Sequence, residues 1–369
     1  MKKLGWHFLS TVIFGAVTTL GAGLPKAQAA LLVGNTESNN VVIYDERTGR
    51  YGGEFIPSGT GGLTSPDDLT FGPDGDLYIS SGTDTSGAIL RFDGKTGEFL
   101  GRFDQGGQLF RPYGIAFGPD GNVYVSSFRS DQILRYDATG KFLDVFATGT
   151  GTANGLNGPD DLLFGSDGSL YVTTQGSVAD GTGGISFLFD SQILKYDITT
   201  GASSAFVPKA TPLADSFDFV SFLGLAFGPY GDLFASDFAN GIRRYNPQTG
   251  ELLASIPTNY TGTSPSSNFI GNLTFDPDNI LYTVGFDSTQ GNRGAILRYD
   301  GTTGKPLPAS GQTSSLFVPP SANLQRPIGI AYAPITVPEP GVTIGLLTVG
   351  TLWGARRWKR DRPQRLSDH

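Results

Sequence analysis

One hairpin unit limits what this chain can fold into more than any other feature, because it recurs. Gly114-Ile-Ala-Phe-Gly-Pro-Asp-Gly-Asn-Val-Tyr-Val-Ser-Ser127 reads as apolar strand, tight turn, apolar strand. Proline fixes φ at the turn entry, and glycine supplies the positive φ that closes it. Copies run from Asp68 to Ser81, Asp161 to Thr174, Gly224 to Asp237 and Asn272 to Gly285. The turn-entry aromatics Phe71, Phe117, Phe164, Phe227 and Phe275 lie 46, 47, 63 and 48 residues apart. A second motif follows each hairpin: Ile89-Leu-Arg-Phe-Asp93, Ile133-Leu-Arg-Tyr-Asp137, Ile193-Leu-Lys-Tyr-Asp197, Ile242-Arg-Arg-Tyr-Asn246 and Ile296-Leu-Arg-Tyr-Asp300. Each leads through a Thr-Gly turn into a fourth short strand. Four strands per period of about 45 residues predict an all-β propeller.

The two ends predict a sixth blade. Ile328 to Tyr332 is a first strand with no partner after it, and Leu31 to Gly34 is a second strand with no partner before it. Joined in one blade, they close a six-bladed ring and remove two open sheet edges. The expected division is 1–29, an export signal; 30–335, the propeller; and 336–369, a tail.

The signal is read from Lys2 and Lys3, an apolar run from Phe8 to Leu24 and the small-residue site Ala27-Gln-Ala29. There is no cysteine, so an exported protein of this kind relies on its core rather than on disulfides. Nine of the 26 basic and two of the 34 acidic residues lie in the two ends. The body from Ala30 to Pro340 keeps 17 basic and 32 acidic groups, a net of −15. That balance disfavours nucleic acid and anionic membrane as partners.

In the tail, Val337-Pro-Glu-Pro340 precedes an apolar run, Gly341 to Ala355, and then Arg356-Arg-Trp-Lys-Arg360. This order resembles the PEP-CTERM sorting tail of Gram-negative bacteria. The resemblance implies recognition of Pro338, Glu339 and Pro340 by an exosortase-type processing enzyme, with Arg356 and Arg357 ending a short membrane segment. It implies an envelope or extracellular-matrix location. A plain single-pass anchor is the alternative. The body resembles NHL-type six-bladed propellers, and more distantly those of the regucalcin and gluconolactonase type. That likeness speaks for fold, since such propellers host enzymes and binding platforms alike.

The expected loop lengths point to one working face. The turns within the hairpins and the Thr-Gly turns share one face and read as short. The insertions Gln175 to Ser191, Pro208 to Phe222 and Pro257 to Ile270 are all expected on the other. Inner strands start there. Asp67, Arg111, Tyr113, Arg129, Asp160, Asp237 and Arg326 form the candidate ligand-binding set. One layer deeper, the six blades give Asp68, Gly114, Asp161, Gly224, Asn272 and Gly329. Asp68, Asp161 and Asn272 are the candidate metal ligands: oxygen donors without sulfur or imidazole suit Ca²⁺. The other reading of this ring is a polar channel whose side chains cap backbone amides. The Asp-Gly pairs at Asp74, Asp120 and Asp167 are read as turn residues.

The only histidines, His7 and His369, lie in the two ends. The body therefore lacks the usual neutral-pH base, a serine–histidine nucleophile system and histidine-bound zinc. It departs in this from the streptogramin-lyase-like propellers. The Glu-x-Pro strand start of the gluconolactonase type is also missing. Two functions stay open: an exported propeller that binds a ligand or partner, such as an exopolysaccharide or an envelope protein, and a metal-dependent lactonase-like hydrolase.

Overall fold

A computed structural model describes residues 29–337 except 183 and 240. The expected signal and the residues from Pro338 onward, with the Pro-Glu-Pro element and both tail arginines, lie outside the described residues. Among those described, no helix is long and apolar enough to cross a membrane.

Six four-stranded antiparallel sheets form the blades of a propeller. We letter the strands of each blade a to d, inside to outside. Blade 1 comprises Leu69–Phe71, Leu77–Thr83, Ser86–Phe92 and Phe99–Arg102. Blade 2 comprises Pro112–Phe117, Val123–Ser127, Gln132–Tyr136 and Phe142–Thr148. Blade 3 comprises Pro159–Phe164, Leu170–Thr174, Gln192–Tyr196 and Ser203–Val207. Blade 4 comprises Phe222–Phe227, Leu233–Asp237, Gly241–Tyr245 and Leu252–Ile256. Blade 5 comprises Asn268–Phe275, Ile280–Asp287, Arg293–Asp300 and Leu316–Gln325. Blade 6 takes strand a from the C-terminal side, Pro327–Ala333, and its others from the N-terminal side, Ala30–Asn35, Asn40–Asp45 and Tyr51–Ile56.

The ring closes as the two ends predict. Ala30 pairs with Ala333, Leu31 with Tyr332 and Gly34 with Gly329. Leu31, Leu32 and Val33 are fully buried. The apolar side chains sort into six clusters, one at each contact between neighbouring blades. This explains why strands b are buried on both faces while strands d, such as Phe99–Arg102 and Leu252–Ile256, carry exposed residues. Val337 is 3% exposed and packs with Ile43 and Gly52 of blade 6. The propeller's packing therefore extends two residues past the expected boundary at 335.

The repeated motifs do local work. The glycines that end the hairpin turns have φ of 84°, 81°, 78° and 84° at Gly75, Gly121, Gly168 and Gly231, and Asn279 takes the place in blade 5 at 67°. The turn aspartates Asp74 and Asp120 accept hydrogen bonds from the hydroxyls of Tyr78 and Tyr124, both at 2.9 Å. Asp167 pairs with Lys195 at 2.8 Å. The basic residues of strands c lie over aromatic rings, as Arg91 does over Tyr78 and Arg244 over Phe234.

The insertions at 175–191, 208–222 and 257–270 fall where expected. The first carries its own two-stranded hairpin, Ser177–Ala179 with Ile185–Phe187. One long connection departs from the expected pattern. Residues 301–315 join strands c and d of blade 5, on the turn face. This segment is held by Leu307 N–H donating to Arg298 O at 2.9 Å and by Arg298 Nε donating to Leu307 O at 2.8 Å.

Candidate functional site

The inner strands bend out of register near the channel mouth, between Pro112 and Ile115, Pro159 and Leu162, Phe222 and Leu225, and Ile270 and Leu273. In blades 1 to 4 a buried hydroxyl on strand b takes up the amide at the mouth position. Asp68, Gly114, Asp161 and Gly224 donate to Ser80, Ser126, Thr173 and Ser236 at 2.8–2.9 Å. Ser126 then donates to Asp160 O and Thr173 to Leu223 O, both at 2.6 Å, across to the next blade.

The mouth carboxylates also staple blades. Asp68 Oδ2 accepts from Ile115 N–H at 3.0 Å, and Asp161 Oδ2 accepts from Leu225 N–H at 2.6 Å. The glycines between them permit close approach. A Cβ at Gly114 would lie 2.6 Å from Leu162 N and 2.7 Å from Asp160 O. The space beside glycine is thus filled by neighbouring backbone rather than kept for an ion. Asp161 Oδ1 accepts in turn from Leu162 N–H at 2.7 Å. With one oxygen of Asp68 and both of Asp161 given to amides, the ring of Asp68, Asp161 and Asn272 offers fewer free donors than the six to eight oxygens a calcium ion takes. Among the described residues no group of three or more His, Cys, Asp or Glu is placed to hold a metal. The donor set does not fit the expected calcium centre.

Directly above this ring, on the loop-rich face, Asp67, Arg111, Tyr113, Asp160 and Arg326 line one cavity of about 150 Å³ with Gln175, Leu223, Phe238 and Ile328. Five of the seven expected ligand-binding residues are thereby brought together, from blades 1, 2, 3 and 6. Arg111 and Arg326 both precede proline and hold left-handed φ of 48° and 47°. Such a backbone costs a non-glycine residue on the order of 1 kcal/mol. Blade 3 has Gly158 at the matching place, with φ 63°. Arg111 Nη1 donates to Asp84 at 2.9 Å, its guanidinium lies 5.4 Å from the Tyr113 ring, and its buried Nε has no partner. Arg326 lies 5.4 Å from the Phe286 ring and donates to Thr36 Oγ1 at 3.3 Å. Asp160 accepts from Gln175 Nε2.

Charge in this cavity is poised. Burial pushes the Asp67 carboxyl up to about 6 against the pull of Arg111 and Arg326. Burial also raises Asp160 well above the carboxylate range, although Gln175 donates to it. In the ring beneath the cavity, Asp68 is likewise raised to about 6 by burial. Asp161 is raised by burial and then by the charge of Asp68. Buried, perturbed carboxyls in a cleft mark a candidate site on physical grounds.

The remaining two expected residues sit elsewhere. Arg129 pairs with Asp84 at 2.7 Å, the aspartate that Arg111 also binds, and does not line the cavity. Asp237 is 1% exposed, pairs with the equally buried Arg243 at 3.0 Å and caps Ser221 N–H at 2.9 Å. It belongs to the interior of blade 4.

Two features arise from the insertions. Phe187, Phe189, Phe219 and Val220 line a cavity of about 650 Å³, which shares Gln175 and Phe238 with the charged one. Beside it, Phe217 and Phe269 stack at 4.4 Å and 9°, Phe269 and Phe238 at 4.4 Å and 17°, and Phe269 approaches Phe286 at 5.6 Å. This aromatic ladder ends under the Arg326 guanidinium. Asp131 ties the hairpin insertion to the site, accepting from Gly158 N–H at 2.7 Å and Ala179 N–H at 2.6 Å.

No protein-family model matches the sequence, and no curated protein does. Solved structures share the fold. A chain of the nidogen/laminin complex is 15% identical with a TM-score of 0.58, covering 83% of this chain and 98% of that one. A protein of unknown function from Bacteroides caccae is 14% identical with a TM-score of 0.55, covering 83% and 99%. Virginiamycin B lyase from Staphylococcus aureus is 16% identical with a TM-score of 0.45, covering 81% and 85%.

Proposed function

We propose that this chain is an exported, envelope- or matrix-associated propeller that acts by binding, with its ligand seated on the loop-rich face. The observation that carries the reading is the convergence of Asp67, Arg111, Tyr113, Asp160 and Arg326 in one cavity. Two of these side chains are held there at a backbone cost. Alternating planar donors and acceptors match the paired hydroxyls of a sugar, and the arginines match an acidic substituent. The adjoining phenylalanines offer apolar surface to a sugar's C–H face. The ligand class is therefore an acidic polysaccharide of the cell's surroundings.

Arg111→Gly with Arg326→Gly tests this without backbone penalty, because glycine accepts the left-handed φ already found at Gly158. In calorimetric titration of the full chain with uronic-acid oligomers, the pair should weaken binding at least tenfold, about 1.4 kcal/mol. Wild type that binds neither acidic nor neutral oligomers ends the proposal. Export and tail processing by an exosortase-type enzyme rest on the sequence of the two ends. Replacing Pro338, Glu339 and Pro340 together should leave the native host with an unprocessed, heavier protein. An unchanged mature mass would leave only the plain anchor.

A further inference from the structure

We propose that the central channel is a second site, which takes the ammonium group of a primary alkylamine entering from the turn face. The channel has a volume of about 510 Å³. Its floor is Asp68, Asp161 and Asn272, on alternate blades. Its far end is a collar of six aromatic rings: Phe71, Phe117, Phe164, Phe227, Phe275 and Tyr332. All six are only half-buried. The wall between floor and collar has Ala116, Leu163 and Ala226 on three successive blades and the hydroxyl residues Thr70 and Thr274 on blades 1 and 5.

Three features point to the same ligand. First, three oxygen-bearing side chains on alternate blades match the three N–H donors of an –NH₃⁺ group. An ammonium needs only one acceptor per donor, which suits carboxylates already accepting from the amides of Ile115, Leu225 and, at 2.7 Å, Leu162. Second, Asn272 is 9% exposed and lines the channel, and among the described residues it accepts only through its backbone oxygen. A donor placed in the channel finds a free acceptor there. Third, six half-buried aromatic residues line the entrance, where a cation is attracted on its way in. Floor and collar are three residues apart on each inner strand, roughly 10 Å at a strand's rise per residue. An alkyl chain fills that span against Ala116, Leu163 and Ala226. Burial raises both floor carboxyls, and the charge of Asp68 raises Asp161 further; a bound cation relieves both effects.

The amine can be a free alkylamine or a lysine side chain of another protein. Thermal melting of the full chain, at matched ionic strength, distinguishes them. n-Butylammonium should raise Tm saturably, while 1-butanol, tetrabutylammonium and sodium should not. Acetyl-lysine-methylamide acting at lower concentration than n-butylammonium would assign a protein lysine; the reverse would assign a free amine. Asp161→Asn should weaken the amine response at least tenfold. Ala226→Leu, which narrows the wall without touching the floor, should do the same. Arg111→Gly with Arg326→Gly should leave it unchanged, so that failure here and failure at the loop-rich face are told apart. An equal response to 1-butanol, an amine response that survives both channel variants, or a response to calcium in place of the amine overturns the proposal.

Discussion

At the residue scale, the buried carboxyl of Asp67 sets a pH dependence whose sign is fixed. Its folded-state value of about 6 lies above the ordinary 3.8. The stability it confers is complete below the unfolded value, where both states are protonated. It is lost as pH rises through about 6, because the unfolded chain ionises freely and the folded one does not. A shift of that size corresponds to about 3 kcal/mol at neutral pH. Asp67→Asn should therefore raise Tm at pH 8, and the gain should vanish at pH 4. Equal gains at both values would show that Asp67 is ionised at no cost beside its arginines. The same scale shows how a residue can be misread from sequence. Asp237 ends a strand where other blades have Ser81, Ser127 or Thr174, so it reads as a mouth carboxylate. Its explanation stands six residues on. Arg243 occupies the place of Leu90, Leu134, Leu194 and Leu297, and a buried arginine requires a buried partner. The paired departure from the repeat was present in the sequence, but its meaning depends on the strand pairing that sets residue 237 against 241.

At the scale of the element, the blade is held by more than its apolar faces. Thr173 accepts the Asp161 amide and donates to Leu223 O of the next blade. Thr173→Val keeps the shape and leaves both groups unpaired, so chemical denaturation should show a loss of about 1–3 kcal/mol. A loss below 0.5 kcal/mol, roughly the level of a surface change, would mean that the backbone relaxes around the missing bonds. The hairpins, the strand-c motif and the blade number were legible because each recurs with a fixed period. So were Asp67, Arg111, Asp160 and Arg326, which stand at or beside the X-Pro strand starts. Gln175, Phe238 and the Phe217–Phe269 stack were not. They lie in or against insertions without a periodic counterpart, and only the folded loops bring them to Arg326. The ring of Asp68, Asp161 and Asn272 was legible as polar and threefold. That its side chains cap backbone amides was one of its two readings; that the capped amides belong to the next blade was not, because the bonds depend on how closely Gly114 and Gly224 let the neighbours approach.

For the whole molecule, ring closure rests on one pair of strands with no covalent link. Removing residues 31–44 deletes strand b and most of strand c of blade 6 and uncovers two of the six clusters. Removing residues 178–184 trims only a loop and part of its hairpin. The first deletion should lower Tm far more than the second, and equal melting temperatures would show that the remaining five blades form a self-sufficient stack.

The pairing of Ala30 with Ala333 also gives the molecule a direction. The first strand of a blade runs from the loop-rich face to the turn face, and the second starts where the first ends. Ala30 and Ala333 therefore both stand at the turn face, and the chain beyond Ala333 follows blade 6 as far as Val337 without returning across the disc. Anything joined to either end is joined on that side. A tether there would hold the propeller like a plate on a stem, with the arginine cavity and the phenylalanine ladder facing away from the surface and the aromatic end of the channel facing toward it.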